Sequence, residues 1–380
     1  MSFPASEFEA RTAKAQALMA ERGFGALLLS TEPEVRYFTG YLTRFWESPT
    51  RPWFVIVPRA GKPVAVIPAI GAPLMARGWV DDIRTWRSPD LTDDGVSLLI
   101  ATLQECVGKD GTVAMPMGHE THVRMPLTDF DTVRGAVSIV ADDGLMRSLR
   151  MVKSGAEIDK IRAACAIADR AFARVPDIAQ AGVRLDQVFR QFQMLCLDEG
   201  ADWVPYLAGA AEAGGYADVI SPASEVPLAE GDVLMLDTGL VRDGYFCDFD
   251  RNFSLGVPSA AVAEAHEMLI RATQAGFDAA RPEATAADLF HAMDQVCTGG
   301  AGGSDAGRLG HGLGMQLTEW PSLIPEDHTM LEAGMVLTLE PGVDLGGGKI
   351  MVHEENIAIT EDGAVYLSTP AGVAIPELSL

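Results

Sequence analysis

Carboxylates beside apolar, strand-like runs are the feature of this sequence that most restricts its fold. Three acids have this position: Asp237 directly after 233–236, Glu340 directly after 335–339, and Glu354 shortly before 357–359. Short apolar runs of this kind are typical of buried strands. Because burying an unpaired carboxylate is prohibitively costly, the fold has to supply each of these acids with a compensating partner.

A fourth carboxylate and one histidine indicate what that partner is. Asp248 follows Asp237 in the same segment, and His311 stands between glycines in the stretch 310–314. On its own, a histidine between glycines is typical of a loop or a packed core position. Together, these residues are an acidic set without matching Lys and Arg, which metal ions compensate most easily. We therefore expect all five residues to converge.

The composition predicts a folded protein without a nucleic-acid or membrane partner. A length of 380 residues indicates two or more domains, and a formal net charge of -24 argues against nucleic acid, which favours basic surfaces. No apolar run approaches the roughly 20 residues that span a bilayer. Residues 1–16 lack the segments of a signal peptide, and the five scattered cysteines fit a reducing cytoplasm.

The first part of the chain predicts an α/β domain with alternating helices and strands. The helical segments are 6–22, 71–78 and 94–107, and the strand segments are 26–29, 54–57, 64–67 and 112–115. The strands 54–57 and 64–67 have the spacing of a hairpin.

A loop-like segment, 38–52, carries Arg44, Phe45, Trp46 and Arg51. Two interpretations stay open. The segment is either a surface loop pinned by its aromatic rings or part of a binding site, and in the second case Trp46 contacts the substrate.

The pattern changes near 140–153, and a linker is expected from Arg147 to Lys153. Ser154 and Glu157 form a capping box that opens a helix. Three further helices are predicted at 185–199, 259–280 and 285–297, with Ser259 and Thr285 as N-caps of the last two. Strands and turns occupy the remainder.

The two aspartates flank a turn signal, Arg242-Asp243-Gly244. A four-residue connection places Asp237 across from Asp248, whereas a two-residue turn pairs Asp237 with Asp250. Both candidates lie on the same face of the hairpin, so the spacing does not choose between them. In either case two carboxylates meet at Cβ separations of roughly 5 Å, which suits a shared cation.

The donor set predicts the class of metal. Mostly oxygen ligands with one imidazole favour Mn²⁺, Co²⁺, Fe²⁺ or Zn²⁺ over a thiolate-type structural zinc site. Four carboxylates balance the charge of two divalent ions. Two such ions roughly 3.5–4 Å apart can hold a hydroxide at neutral pH and polarise a carbonyl.

Four stretches of the chain resemble the metallopeptidase M24 group, which includes aminopeptidase P, prolidase, methionine aminopeptidase and the non-peptidase creatinase. They are GDVLMLDTGLVRDGYFCDFDRNF, GHGLG, VLTLEPG and VHEENIAIT, and the SGAEIDKIR helix precedes them. The resemblance covers roughly residues 150–365, and the N-terminal part resembles the smaller creatinase/prolidase-type domain.

The resemblance implies the fold and the ligands. We expect a creatinase/prolidase-type domain over 1–148 and a pita-bread catalytic domain, α+β with an antiparallel sheet, over 149–380. It makes Asp248, rather than Asp250, the ligand beside Asp237. The full implied set is Asp237, Asp248, His311, Glu340 and Glu354. Related proteins are commonly homodimers in which the small domain reaches the partner's cleft, so a homodimer is expected.

Two departures from the peptidases bear on function. The family's His-Glu-x-Pro stretch begins here with Thr318, and the loop 213–222 lacks the family's second histidine. Thr318 can still donate through its hydroxyl, although it does not titrate near neutrality as histidine does. His353 stands where the family often has arginine, and we interpret it as a neighbour of the ligands or as an acid or base.

Aromatic residues near the motifs are candidates for the wall of a pocket, and core packing is the alternative for each. Those that we expect to contact substrate are Tyr206, Tyr216 and Trp320, in addition to Trp46. Such rings suit a proline ring or a small cationic solute.

The predicted function is a metal-dependent hydrolase of the aminopeptidase P/prolidase type that acts on a short peptide, with Glu340 as the general base. The alternative is a non-peptidase relative acting on a compatible solute, by creatine-like or ectoine-like hydrolysis or by C–S lyase chemistry.

Overall fold

The computed structural model describes residues 3–48, 52–108, 111–302 and 307–380; Arg51 of the 38–52 segment lies outside them. The chain divides into two compact units, Met1–Arg150 and Met151–Leu380.

The N-terminal unit is built on one six-stranded sheet. Its strands are β1 (Ala26–Leu29), β2 (Phe54–Pro58), β3 (Val64–Pro68), β4 (Asp82–Trp86), β5 (Thr112–Met115) and β6 (Ser138–Ala141). Their order is β4-β3-β2-β1-β5-β6. The predicted hairpin is confirmed, because β2 and β3 pair antiparallel with Phe54 opposite Val66.

This unit also contains helices. They are α1 (Ala5–Arg22), α2 (Glu32–Thr39), α3 (Ala72–Met75), α4 (Val96–Val107), α5 (Leu127–Ala136) and α6 (Leu145–Met151). Leu99 and Leu103 of α4 and Val133 of α5 join Leu28 and Ile56 in one buried core. The amphipathic spacing of α4 thus fixes which of its faces covers the sheet.

The C-terminal unit carries four long helices: α7 (Gly155–Ala173), α8 (Leu185–Asp198), α9 (Ala260–Ala279) and α10 (Ala286–Cys297). The predicted capping box is present at the start of α7, where Ser154 accepts from the Glu157 backbone. Ser259 and Thr285 cap α9 and α10 through their hydroxyls, as predicted.

Strands fill the rest of this unit. They are β7 (Trp203–Ala213), β8 (Asp232–Arg242), β9 (Tyr245–Phe246), β10 (Phe249–Leu255), β11 (His311–Gly312), β12 (Glu319–Ser322), β13 (Val336–Leu339), β14 (Gly342–Gly346), β15 (Lys349–Val352), β16 (Glu355–Thr360), β17 (Gly363–Tyr366) and β18 (Glu377–Leu378).

Two mainly antiparallel sheets organise these strands. The first has the order β18-β10-β8-β7, with β9 paired to β8, and the second has the order β12-β11-β13-β16-β17. Helix α9 packs on the first sheet through Val262 and Leu269, which share a core with Val233 and Met235. Helix α10 packs on the second through a separate core. The two cores thus support the sheets on or beside which the acidic residues lie.

Within the described ranges, no helix has the length and apolarity needed to cross a membrane.

Candidate metal centre

Five side chains from different elements form two overlapping groups. Asp248, His311 and Glu340 form one group, and the other joins Asp248 to Asp237 and Glu354. Within each group, one candidate ligand atom per residue lies within 4.8 Å of the others. The residues singled out in the sequence are therefore brought together, and Asp248 belongs to both groups.

The hairpin that carries the two aspartates has the two-residue turn. Arg242 pairs with Tyr245, and this register continues until Asp237 stands opposite Asp250. Asp237 lies in the middle of β8 and not at the end of a strand, since β8 continues to Arg242. Asp248 lies in the break between β9 and β10. This break allows its carboxylate to approach Asp237 although Asp237 faces Asp250 in the ladder.

Asn356 holds the backbone of Asp248. Its side-chain oxygen accepts from the Asp248 N–H at 3.0 Å, and its side-chain nitrogen donates to the Asp248 carbonyl. Asn356 is fully buried on β16, and its own N–H donates to Ser368 Oγ at 3.0 Å. A residue of the second sheet thus positions a candidate ligand of the first.

Close backbone packing places His311. A Cβ added to Gly312 would lie 2.0 Å from the Trp320 carbonyl oxygen, and one on Gly310 would lie 2.3 Å from the Thr338 carbonyl oxygen. Gly310 also has a φ of 141°, which side chains rarely permit. Only glycine fits on either side of this histidine.

The ring of His311 has a defined orientation. Nδ1 lies 2.8 Å from the Gly312 carbonyl oxygen, an acceptor, so Nδ1 carries the hydrogen. Nε2 lies 2.9 Å from Glu340 Oε1 and 3.4 Å from Asp248 Oδ2. A backbone partner of this kind commonly fixes the tautomer of a metal-binding histidine.

Thr338 connects His311 with Glu340. Its hydroxyl accepts from the His311 N–H at 2.9 Å and donates to Glu340 Oε1. The sequence analysis did not single out Thr338. Its position as the polar residue of the apolar run 335–339, two residues before Glu340, could have identified it.

The electrostatics of the cluster follow from burial. Burial raises the pKa of both Asp237 and Glu354 well above the usual range, and neighbouring carboxylates raise it further. Burial also raises the pKa of Asp248 to about 6, against the effect of His311. Burial lowers the pKa of His311, but Glu340 and Asp248 outweigh it and raise the pKa to about 10. The cluster holds more negative charge than its own side chains offset.

Two oxygens of the cluster have no hydrogen-bond partner. Asp237 Oδ1 and Glu354 Oε2 are buried and unpaired within the part of the chain that the structure describes. Because a buried carboxylate oxygen without a partner is costly, a bound cation would compensate these two oxygens. The donor chemistry, oxygen-rich with one imidazole, suits a divalent transition metal.

His353 lies behind the cluster, where a role as acid or base does not fit. It is 1% exposed, with Nδ1 at 3.2 Å from Asp250 Oδ1 and Nε2 at 3.3 Å from Glu355 Oε1. Burial lowers its pKa, but these two carboxylates outweigh it and raise the pKa. With both ring nitrogens engaged, His353 has the position of a support for Asp250, whose Oδ1 accepts from the Glu354 N–H at 3.0 Å.

Thr318 is joined to a residue that the sequence analysis did not single out. Arg308 Nη2 donates to Thr318 Oγ1 at 3.3 Å. The Arg308 charge also acts on two of the candidate ligands. Burial raises the pKa of Asp248 and would raise that of Glu340, and the positive charge of Arg308 lowers the pKa of each carboxyl. A cation next to the acid cluster therefore accompanies the threonine that replaces the family's histidine.

A buried ion pair anchors the turn after His311. Lys153 Nζ lies 3.1 Å from Glu319 Oε2, and the two side chains are 2% and 7% exposed. Glu319 Oε1 accepts from the Gln316 N–H at 3.1 Å. The backbone N–H of Lys153 donates to the Gly334 carbonyl at 2.9 Å. The pair thus ties the start of this unit to the loop that carries Thr318.

The predicted substrate aromatics have different positions. Tyr206 lies beside the cluster, since burial and the Asp237 and Glu354 charges raise the pKa of its hydroxyl. Tyr216 does not wall a pocket: it is fully buried, and its hydroxyl accepts from the Val352 N–H at 2.8 Å. The core-packing alternative applies to Tyr216. Trp320 is half-buried on β12, close to Thr318.

Trp46 belongs to the N-terminal unit. It is 9% exposed, its ring centroid lies 6.0 Å from that of Trp53, and Arg124 stacks over it at 5.1 Å. The described part of this segment, 38–48, is thus pinned by its aromatic rings within this unit, and substrate contact by Trp46 stays a prediction.

Comparison with known proteins agrees with this fold. Residues 159–361 match metallopeptidase family M24, and residues 11–152 match the creatinase/prolidase N-terminal domain. The fold and the acid–histidine centre define a metal-dependent hydrolase with a pita-bread catalytic domain, and the chain belongs to metallopeptidase family M24. The predicted family and fold class are confirmed.

Its relatives include peptidases. The chain is 30% identical to the probable dipeptidase PepE of Mycobacterium tuberculosis over 96% of each chain. It is 30% identical to the Xaa-Pro dipeptidase of Pyrococcus furiosus over 70% of this chain and 74% of that one. The crystal structure of dipeptidase PepE from Mycobacterium ulcerans superposes with a TM-score of 0.85 at 28% identity and covers 100% of both chains.

Proposed function

We propose that this protein is a dinuclear metal-dependent dipeptidase that cleaves the amide bond of Xaa-Pro dipeptides. The observation that carries the proposal is the pair of ligand groups that share Asp248. The similarity to a probable dipeptidase over nearly the whole chain supports a dipeptide substrate.

Each group would hold one divalent ion, with Asp248 serving both. Asp237 and Glu354 complete the second site, and His311 and Glu340 the first. Four carboxylates balance two divalent charges, so the loaded centre is close to neutral. Mn²⁺, Co²⁺, Fe²⁺ and Zn²⁺ all suit these donors.

When bound, the ions supply a water acidified toward neutral pH and Lewis-acid polarisation of the amide carbonyl. Glu340 is the proposed general base. Its Oε1 accepts a hydrogen bond from the Thr338 hydroxyl, so we assign to Oε2 the proton taken from the attacking water. The same carboxyl can then return the proton to the prolyl nitrogen as the amide bond breaks.

Tyr206 is the proposed substrate-binding hydroxyl. Its hydroxyl lies beside Asp237, with which it is hydrogen-bonded, so it is placed where it can contact a substrate held at the centre. Trp320 remains a proposed wall for the proline ring.

The test is a substrate panel combined with metal analysis. The wild type, loaded in turn with Mn²⁺, Co²⁺ or Zn²⁺, is offered Xaa-Pro dipeptides, creatine-like and ectoine-like amides, and a sulfonium propionate. We expect turnover of the dipeptides, with two ions per chain by elemental analysis. Asp248→Asn should lower both the metal content and the turnover, since Asp248 belongs to both groups.

Robust turnover of a non-peptide solute with negligible peptide cleavage would overturn the proposal in favour of the compatible-solute alternative. Active protein without any divalent metal would overturn the dinuclear centre. The compatible-solute alternative is tested because the chain lacks the two histidines that the peptidases carry near the substrate. The exposed His291 and His328 lie outside the acid–histidine cluster, and both ring nitrogens of His353 are engaged, so none of these three replaces them.

We also propose that the chain forms a homodimer, on the basis of the family to which it belongs. In this arrangement the N-terminal unit would present the segment around Trp46 to a partner.

A further inference from the structure

Arg308 has an unusual place among the cations near the metal centre. It lies three positions before His311, and among the described residues its one hydrogen bond is to Thr318 Oγ1 at 3.3 Å. A guanidinium has five N–H donors in a planar fork, so most of its donors remain for a ligand. The side chain is half-buried.

The backbone next to Arg308 is held firmly. The Leu309 N–H donates to the Leu323 carbonyl at 2.9 Å, and the Leu309 carbonyl accepts from the Glu340 N–H at 2.9 Å. These bonds join the residue after Arg308 to the residue that follows β12 on one side and to a candidate metal ligand on the other. Arg308 is therefore positioned relative to the reacting centre.

Other cations of this unit close to the centre are engaged. Arg251 donates to the carbonyls of Glu354 at 3.2 Å and of Thr369, and to Glu355 Oε2 at 3.0 Å. Lys153 is paired with Glu319. Arg308 differs from both, since its one hydrogen bond within the described ranges is to a neutral hydroxyl.

A dipeptide needs such a cation. Its free carboxylate would otherwise approach an acidic cluster in a protein of formal net charge -24. Metal loading brings the cluster close to neutral but leaves no surplus positive charge for the substrate. In an Xaa-Pro dipeptide only the prolyl α-carbon separates the scissile nitrogen from the carboxylate, so the cation has to stand beside the centre.

We propose that Arg308 binds the free α-carboxylate of a dipeptide substrate and makes the enzyme selective for dipeptides over longer peptides. Thr318, the residue directly before β12, is a positioning residue that orients the Arg308 guanidinium. This inference rests on the proposed function, since it assigns the part of the site that recognises the end of the substrate.

The kinetic test compares an Xaa-Pro dipeptide with its C-terminal amide. In the Mn²⁺-loaded wild type we expect the acid to be preferred. Arg308→Met should raise KM for the acid about 10- to 100-fold, the effect of losing charge-assisted hydrogen bonds, with a much smaller change in kcat. The ratio of kcat/KM for the acid to kcat/KM for the amide should fall toward one. Arg308→Lys should restore part of it, because lysine lacks the planar fork.

Thr318 and a surface arginine complete the kinetic series. Thr318→Val should raise KM for the acid in the wild-type background and have little further effect in the Arg308→Met background. Arg271→Met, which removes an exposed arginine of α9, is the matched control and should keep the preference. An unchanged acid-to-amide preference in Arg308→Met would overturn the proposal.

A binding measurement separates this inference from the proposed function. Mn²⁺-loaded protein is titrated calorimetrically with L-proline and with L-prolinamide. We expect the wild type to bind proline more tightly and Arg308→Met to lose that difference, with its metal content unchanged. If the wild type shows this difference but cleaves no dipeptide, the carboxylate site stands and the proposed function falls. Equal binding of both ligands by the wild type, or no binding of either, would overturn the carboxylate site.

Discussion

At the scale of single residues, His266 makes folding depend on pH. The ring is 1% exposed, Nε2 lies 3.1 Å from the Gly372 carbonyl oxygen, and Nδ1 is buried without a hydrogen-bond partner in the described ranges. Burial lowers the pKa of His266 to about 4, because the charged ring would bury an N–H without an acceptor.

The sign of the effect follows from linkage. Between pH 6.5 and about 4 the unfolded chain binds a proton at this histidine and the folded chain does not. The free energy of unfolding is therefore highest, as far as this group is concerned, above pH 6.5. It falls by up to about 3 kcal/mol as the pH is lowered to 4. We expect His266→Gln to flatten the dependence of the free energy of unfolding on pH in this window.

Urea unfolding at several pH values measures this effect. His291→Gln, which changes an exposed histidine of α10, is the control and should keep the wild-type slope. If the His266→Gln and wild-type curves remain parallel from pH 7 to pH 4, the buried neutral histidine is not the cause.

Asn356 provides a second prediction at the residue scale. Its side chain bonds both backbone groups of Asp248, so Asn356→Ala should misplace that carboxylate. We expect metal affinity to fall about 10- to 100-fold, which is typical when a group that orients a ligand is removed. Calorimetric titration with Mn²⁺ measures it.

Cys165→Ala is the matched control for Asn356. The Cys165 thiol also contacts Asn356 Oδ1, at 3.3 Å, but it does not touch Asp248. We expect this variant to keep the metal affinity of the wild type. Equal losses in both variants would indicate a general effect of disturbing the core.

At the scale of elements, the Lys153–Glu319 pair predicts a strong coupling. Lys153→Met leaves a buried carboxylate without its cation and should lower stability by about 3–5 kcal/mol. The double variant Lys153→Met/Glu319→Gln removes the charge but keeps an acceptor for the Gln316 N–H, so it should recover most of the loss.

A second lysine–carboxylate pair is the control. Lys160 lies 3.0 Å from Asp243, whose side chain is 49% exposed. Lys160→Met should cost less than about 1 kcal/mol, since exposed pairs contribute little. Urea-unfolding midpoints compare the variants. A similar loss from both lysines would show that burial does not determine the energy of these pairs.

The hairpin of β8, β9 and β10 shows how far the sequence determines an element. Alternating polarity placed Asp237, Asp248 and Asp250 on one face, and the two-residue turn at Asp243-Gly244 was one of two options that fit it. The register is continuous from the turn to Asp237–Asp250, but the position of Asp248 depends on the break between β9 and β10, where Asn356 holds its backbone from another sheet. Local patterns carry no signal of that tertiary contact.

The sequence predicted the candidate ligands of the site but not all of the residues around them. Acids beside apolar runs and a histidine between glycines pointed to the five residues that the structure groups together. The substrate contact expected for Tyr216 was not met, and His353 fits the interpretation as a neighbour of the ligands and not as an acid or base, because spacing does not reveal whether a side chain turns into the core. Arg308 and Thr338 were missed, since their importance depends on partners 10 and 27 residues away.

At the scale of the whole molecule, the candidate ligands come from two sheets. Asp237 belongs to β8 of one sheet, whereas His311 belongs to β11 of the other. A ligand that binds only the folded state stabilises it by mass action, by about 2.7 kcal/mol at a hundredfold excess over Kd. We expect Mn²⁺ to raise the melting temperature of metal-stripped protein by about 5–10 °C.

Calorimetric scans with Mn²⁺ or with chelator measure this shift. Asp248→Asn is the control, and its melting temperature should respond much less to Mn²⁺ because both ligand groups are incomplete. A wild-type melting temperature that is the same with metal and with chelator would contradict a centre that joins the two sheets.

Assembly is also a property of the whole molecule. We expect a homodimer by light scattering at assay concentrations. Trp46→Ala should raise KM without changing metal content, and it should also lower the stability of the N-terminal unit, where Trp46 packs on Trp53 and Arg124. A fully active monomer would refute the dimeric arrangement.

The origin of the ligands in two sheets has a consequence for the lifetime of the protein. If the ions join the sheets, a newly made chain that has not acquired them opens more often and exposes cleavage sites to proteases. Degradation of a transiently opened chain follows the population of the open form. The amount of enzyme that persists would then follow the supply of divalent metal, so scarcity would reduce abundance as well as the activity of each molecule.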